Sequence, residues 1–150
     1  MDLLALVMRW AHILAAITAV GGSIFLRFVL MPAMAATAGP EEQGRLRGAL
    51  LGPWQRIVHV CIALLVISGF YNYLVIARHA HEGQALYHAL AGVKILLAFA
   101  VFFLAIALTS RRDGFAAIKA QRARWTGVLI ALAVAVVLLS GVLRSLPATG

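Results

Sequence analysis

Carboxylates are almost missing from this chain, and none stands inside its long apolar runs. Five Asp and Glu residues face 13 Lys and Arg, for a formal net charge of +8. Asp2, Glu41, Glu42, Glu82 and Asp113 all fall at the ends of apolar runs or between them. Chemistry that needs a pair of buried carboxylates is therefore excluded. Cys61 is the single cysteine, so no disulfide can form within the chain. Inside an apolar run it reads as a small packing residue. There is no Gly-rich phosphate loop, no His-Glu-x-x-His and no Cys-x-x-Cys, so hydrolase and nucleotide-dependent activities have no motif to rest on. Charge of either sign is scarce too: 12% of residues are charged, against about 25% in an average soluble domain.

What is abundant is apolar sequence. Hydrophobic residues make up 63% of the chain, and they fall in four runs, at about 3–30, 54–77, 86–109 and 125–146. Each is long enough to cross a bilayer, which takes roughly 20 apolar residues. In lipid only helices and closed barrels satisfy their own backbone. Unbroken runs lack the alternation of barrel strands. The expected fold is all-α: one domain, a four-transmembrane-helix antiparallel bundle. The small residues Ala33-Met34-Ala35-Ala36-Thr37-Ala38 resemble a signal-peptide cleavage region. The run before them is too long for a signal core and contains Arg9, His12 and Arg27, so it is expected to be a true span. The break at Gly52-Pro53 predicts that the second helix starts at Trp54, with a short interfacial helix within 39–52.

Lys and Arg give the orientation. Arg27, Arg45, Arg47, Arg56, Arg111, Arg112, Lys119, Arg122 and Arg124 gather on the side of the connections 31–52 and 110–124. Arg9, Arg78 and Arg144 lie on the other side. The positive-inside rule then makes those two connections cytoplasmic and puts both termini outside, in the cytoplasmic (inner) membrane of a cell. The lipid bilayer is the expected partner of the basic flanks. Nucleic acid is not, because no basic patch carries interleaved aromatics.

Two ionisable residues lie deep in the apolar runs. His12 is roughly 14 Å from the outer end of the first span, and Lys94 roughly 12 Å from the outer end of the third. Such residues are costly in lipid and usually functional. For His12 the structural alternative is a neutral imidazole hydrogen-bonded to a carbonyl or hydroxyl of a neighbouring helix. Lys94 has no carboxylate at its level and lies beyond snorkelling reach. It calls for an anionic non-protein group, a water-lined cavity or a neutral state. His59 enters from the opposite end, roughly 8 Å in. Ala16, Ala19 and Ser23 follow His12 on one helical face, beside Ala15 and Gly22. Such a stripe serves close packing or leaves room for a flat cofactor. The Gly21-Gly22 pair marks either a kink or a contact point. His79, His81 and His88 form His-x-His-x(6)-His near the outer surface, read either as a metal site or as a solvated loop. A faint repeat links Ile67-Ser68-Gly69-Phe70 to Leu139-Ser140-Gly141-Val142.

The stretches Trp10-Ala11-His12-Ile13-Leu14-Ala15-Ala16, Val20-Gly21-Gly22-Ser23-Ile24-Phe25 and Val29-Leu30-Met31-Pro32-Ala33 resemble the first helix of CopD-like membrane proteins. Gly92-Val93-Lys94-Ile95-Leu96-Leu97 is similar to their lysine-bearing helix, and Ile67-Ser68-Gly69-Phe70 to the small-Gly signature of the preceding one. The related HemJ-type protoporphyrinogen oxidases share a short multi-helix fold, an early histidine and a later lysine, and bind haem b. This chain departs from them at Thr18-Ala19-Val20, where a tryptophan is usual, and at Leu26-Arg27, where they carry Pro-Arg. The resemblance implies that His12 is an axial ligand of haem b and that Lys94 partners a propionate or the substrate.

Three functions follow as expectations. The first is a haem b protein in electron transfer or porphyrin oxidation, an oxidoreductase if it is an enzyme, with His12 and Lys94 at the cofactor. The second axial position falls to His59, to another protomer of a homo-oligomer, or to none. The second function is copper handling, with His12, His79, His81 and His88 as candidate ligands. The third is a cofactor-free accessory subunit of a larger membrane or respiratory complex.

Overall fold

The computed structural model describes residues 3–77, 84–110 and 113–145. The first span begins as α1, Leu3–Phe25, passes through a wider π turn at Leu26–Leu30, and continues as α2, Met31–Thr37. Pro32 accounts for that turn. Its ring would clash with the Phe28 carbonyl four residues earlier, to which it cannot donate. The π spacing, sealed by the Met31 N–H on the Leu26 carbonyl, opens the backbone at that place. The helical path therefore reaches Thr37, seven residues past the expected end at 30.

Ala38 and Gly39 are extended and reverse the chain. The next helix, α3, runs Pro40–Tyr71 and leads into a π segment, Asn72–Ala77. Pro40 suits a first helical position, where its missing N–H is no loss. Glu41 and Glu42 in the first turn complement the helix dipole. The expected break at Gly52-Pro53 does not occur: α3 continues through Pro53. A proline inside a helix removes one hydrogen bond and bends the axis, which a long helix held by its neighbours tolerates. The separate interfacial helix expected within 39–52 is thus the first part of α3.

The third span is α4, Ala85–Thr109. A 3-10 turn at Asp113–Phe115 and a short α5, Ala116–Ala120, connect it to α6, Arg122–Ser145. The described residues contain four helices long and apolar enough to cross a membrane, and no strand. This is the all-α four-helix bundle that the apolar runs predict.

Neighbours along the chain pack side by side. The closest packing joins α4 to α6 and α1 to α3; α3 also meets α4, and α1 meets α6 more lightly. The bundle is thus two helical hairpins laid together. Its interior mixes small residues, Ala15, Cys61, Ala91, Ala107 and Ala133, with larger ones such as Leu104, Leu108 and Leu129, while Leu14, Ile17, Leu96 and Leu138 point outward. An exterior this rich in large apolar side chains is what a bilayer accommodates, since helices in lipid associate by close approach rather than by hiding grease. Cys61 takes its expected place as a buried packing residue.

Candidate functional site

Ser68 is the most deeply buried polar side chain described, 1% exposed, on the face of α3 that meets α1. Its hydroxyl donates to the Leu64 carbonyl one turn back in its own helix. That spends the only proton it has. The His12 Nδ1 lies 2.9 Å from the same oxygen. Nδ1 must then be the donor, because the Ser68 oxygen has only lone pairs left to offer. By this hydrogen-bond logic His12 is the Nδ1–H tautomer, and its lone pair sits on Nε2. The structural alternative for His12, a hydrogen bond to a carbonyl or hydroxyl of a neighbouring helix, is therefore present at the Ser68 hydroxyl, and the Leu65 backbone of the same helix also meets the ring.

Gly69 follows Ser68 and lets the imidazole lie against the α3 backbone. A Cβ there would stand 3.4 Å from His12 Cε1 and 3.8 Å from Nδ1. The Gly21-Gly22 pair resolves as a contact point. A methyl on Gly22 would overlap the Trp54 indole, whereas one on Gly21 would meet nothing within 4 Å. Helix α1 passes through both glycines without a break. Of the small stripe, Ala15 is buried and the Ser23 hydroxyl returns to the Ala19 carbonyl at 2.7 Å.

Lys94 lies half-buried on α4, within Coulombic range of His12. No hydrogen bond or ion pair joins it to another described residue. A salt bridge lies at the other end of the bundle, Arg45 to Glu42 at 3.9 Å.

The remaining histidines lie elsewhere. His59 is exposed on α3, bonded at 2.7 Å to the carbonyl of Gln55 in its own helix. It stands nine residues before Ser68, about half a turn around a helix of 3.6 residues per turn. His59 and His12 are therefore not brought together within one chain. His88 meets the Tyr73 hydroxyl through Nδ1 at 3.2 Å, with the Tyr73 and Tyr87 rings edge-on to it. His79 and His81 lie outside the described residues. Among those described, no three His, Cys, Asp or Glu side chains group as metal donors.

Sequence reasoning singled out His12 and the Ile67-Ser68-Gly69-Phe70 stretch separately and did not join them. The available signal was a serine that bonds back to its own helix and so can only accept from outside. Comparisons with protein-family models, curated proteins and solved structures give no match.

Proposed function

We propose that this is an integral membrane haem b protein acting in electron transfer or porphyrin oxidation, with His12 as an axial ligand. The observation that carries the reading is the Ser68 hydroxyl on His12 Nδ1. Histidines that bind a metal usually donate their other ring nitrogen to a fixed partner, which sets both tautomer and ring direction. Here that partner is present, and Nε2 keeps its lone pair. Lys94 fits the second requirement. A haem carries two carboxylates into lipid, and a deep lysine with no acidic partner among the described residues offers them a cation. When bound, haem supplies one-electron redox chemistry, its potential set by axial ligand and surroundings. The chain's own part is to hold the imidazole by Ser68, to seat it on Gly69 and to place positive charge nearby at Lys94. The described residues bring one imidazole to this level, so a second axial ligand within the chain is not part of the proposal. The resemblance to CopD-like and HemJ-type proteins points the same way. The charge bias of the connections supports an orientation with both termini outside the cytoplasmic membrane.

The test is an absorption spectrum of the detergent-purified protein, oxidised and dithionite-reduced, with metal analysis on the same sample. A Soret band with reduced α and β bands is expected, lost in His12→Ala and kept in His88→Ala. Pigment that survives His12→Ala sinks the ligand assignment. A colourless protein containing copper moves copper handling ahead. One with neither cofactor points to an accessory subunit.

A further inference from the structure

At the opposite end of the bundle from His88, all four long helices contribute to one cavity of about 380 Å³. Arg27 enters it from the π turn after α1, Arg47 from α3 and Arg122 from the first residue of α6. Ser23, Thr109 and Thr126 add hydroxyls to its wall, and no described carboxylate lines it. Among the described residues the three guanidiniums have few partners. Arg27 Nε is buried without a hydrogen bond, and its guanidinium lies 5.7 Å from the Phe28 ring centre. Among the described residues Arg47 reaches only the Met31 thioether, at 3.8 Å, a weak acceptor. Arg122 and Arg47 are close enough to repel each other. Arg122 also sits at a helix N-terminus, where the dipole disfavours a cation.

Like charges converge on an apolar cleft only at a cost, and an unpaired buried donor adds to it. A multivalent anion would relieve both. Guanidinium forks match phosphate oxygens two at a time, and basic pockets between membrane helices suit anionic headgroups. We propose that this pocket binds a phosphate group, carried either by an anionic phospholipid or by free phosphate. The apolar remainder of the wall, with Val58, Leu108 and Leu129, favours a phosphate attached to acyl chains. The site is separate from the His12 level and does not depend on any cofactor there.

The experiment is thermal unfolding of the full chain in neutral detergent. It is titrated with phosphatidylglycerol, with phosphatidylcholine, or with inorganic phosphate at constant ionic strength. Phosphatidylglycerol is expected to raise the melting temperature saturably, and phosphatidylcholine far less. Arg27→Gln and Arg122→Gln should each weaken the half-saturating concentration about tenfold, as for loss of a charged hydrogen-bond donor. Arg45→Gln, which lies outside the cavity, should leave it unchanged. If the glutamine variants fail to fold, Arg27→Lys and Arg122→Lys keep the charge, lose the fork and should still weaken binding. Stabilisation by inorganic phosphate alone, lost in the same variants, assigns the site to free phosphate. The proposal is overturned if neither phosphate source stabilises the wild type. It is overturned equally if every variant responds as the wild type does.

Discussion

Ser68 and Ser140 occupy matching places in the two hairpins, each followed by glycine and each bonding back to a carbonyl four residues earlier, Leu64 or Val136. Their surroundings differ. Ser68 is buried and accepts from His12, and Gly69 carries the imidazole on its open face. Ser140 is half-buried with no bond beyond its own helix among the described residues, and a methyl on Gly141 would meet nothing within 4 Å. The second hairpin is instead held by apolar clusters, Leu104, Leu108 and Leu129 at one end, Tyr87, Ala91 and Leu143 at the other. One four-letter pattern thus serves as the seat of a polar site in one hairpin and as plain helix surface in the other. What decides is the residue facing it from the next helix. A repeat in sequence is evidence of similar packing and not of similar chemistry.

The strongest way to break this comparison is to jam the close approach on which the first hairpin depends. Gly22→Ala places a methyl inside the Trp54 indole, so the ring or the helix must move. Overpacking of this kind costs about 1–3 kcal/mol, and a rigid indole puts it toward the upper figure. Gly21→Ala, one residue away in open space, should be neutral or slightly stabilising. Reversible unfolding in mixed detergent micelles measures both. Equal effects at the two glycines would mean that Trp54 does not set the spacing of α1 and α3.

A smaller loss is expected when the two serines are compared directly. Ser68→Ala leaves the His12 Nδ1–H without its acceptor, a cost of about 1–3 kcal/mol for a buried donor. Ser140→Ala removes only a bond to its own helix and should stay within about 0.5 kcal/mol. If haem b is bound, loss of the partner that fixes a ligating imidazole should also weaken it about 10–100-fold in Ser68→Ala alone. Unfolding midpoints and a haem titration read the two effects separately. Equal responses at Ser68 and Ser140 would remove the distinction between the hairpins.

The four spans were legible in the sequence because a bilayer imposes length and apolarity on any segment that crosses it. Their ends were not. Helix α3 begins at Pro40 and runs through Pro53 on backbone hydrogen bonding that hydropathy does not register. His12 and Lys94 stood out because ionisable residues are rare in apolar runs. His59 was a candidate partner only as a further imidazole within a span, since its depth already set it a turn or two from His12, and rotation about the helix axis also puts it on the far side from Ser68. That rotation can be counted only once one contact of α3 is known. The three arginines of the cavity were each visible as flanking positive charges. Their convergence depends on four helix ends meeting, which no local pattern encodes.

The finest difference concerns the glycines. Replacing a helical glycine by alanine gains about 0.5–1 kcal/mol in an open position. Gly141→Ala should show that gain, since its methyl points into open space. Gly69→Ala should show little of it, because the new methyl would press on the imidazole edge, 3.4 Å from Cε1 before any adjustment. The His12 ring would have to yield by a few tenths of an ångström while keeping its bond to Ser68 on the adjacent residue. That makes the Nδ1–H of His12 a sensitive reporter. Its nitrogen and proton resonances in selectively labelled protein should move in Gly69→Ala and stay fixed in Gly141→Ala. An unmoved His12 signal in Gly69→Ala would mean that the imidazole is not seated on α3 by this glycine, and the asymmetry between the hairpins would then rest on Ser68 alone.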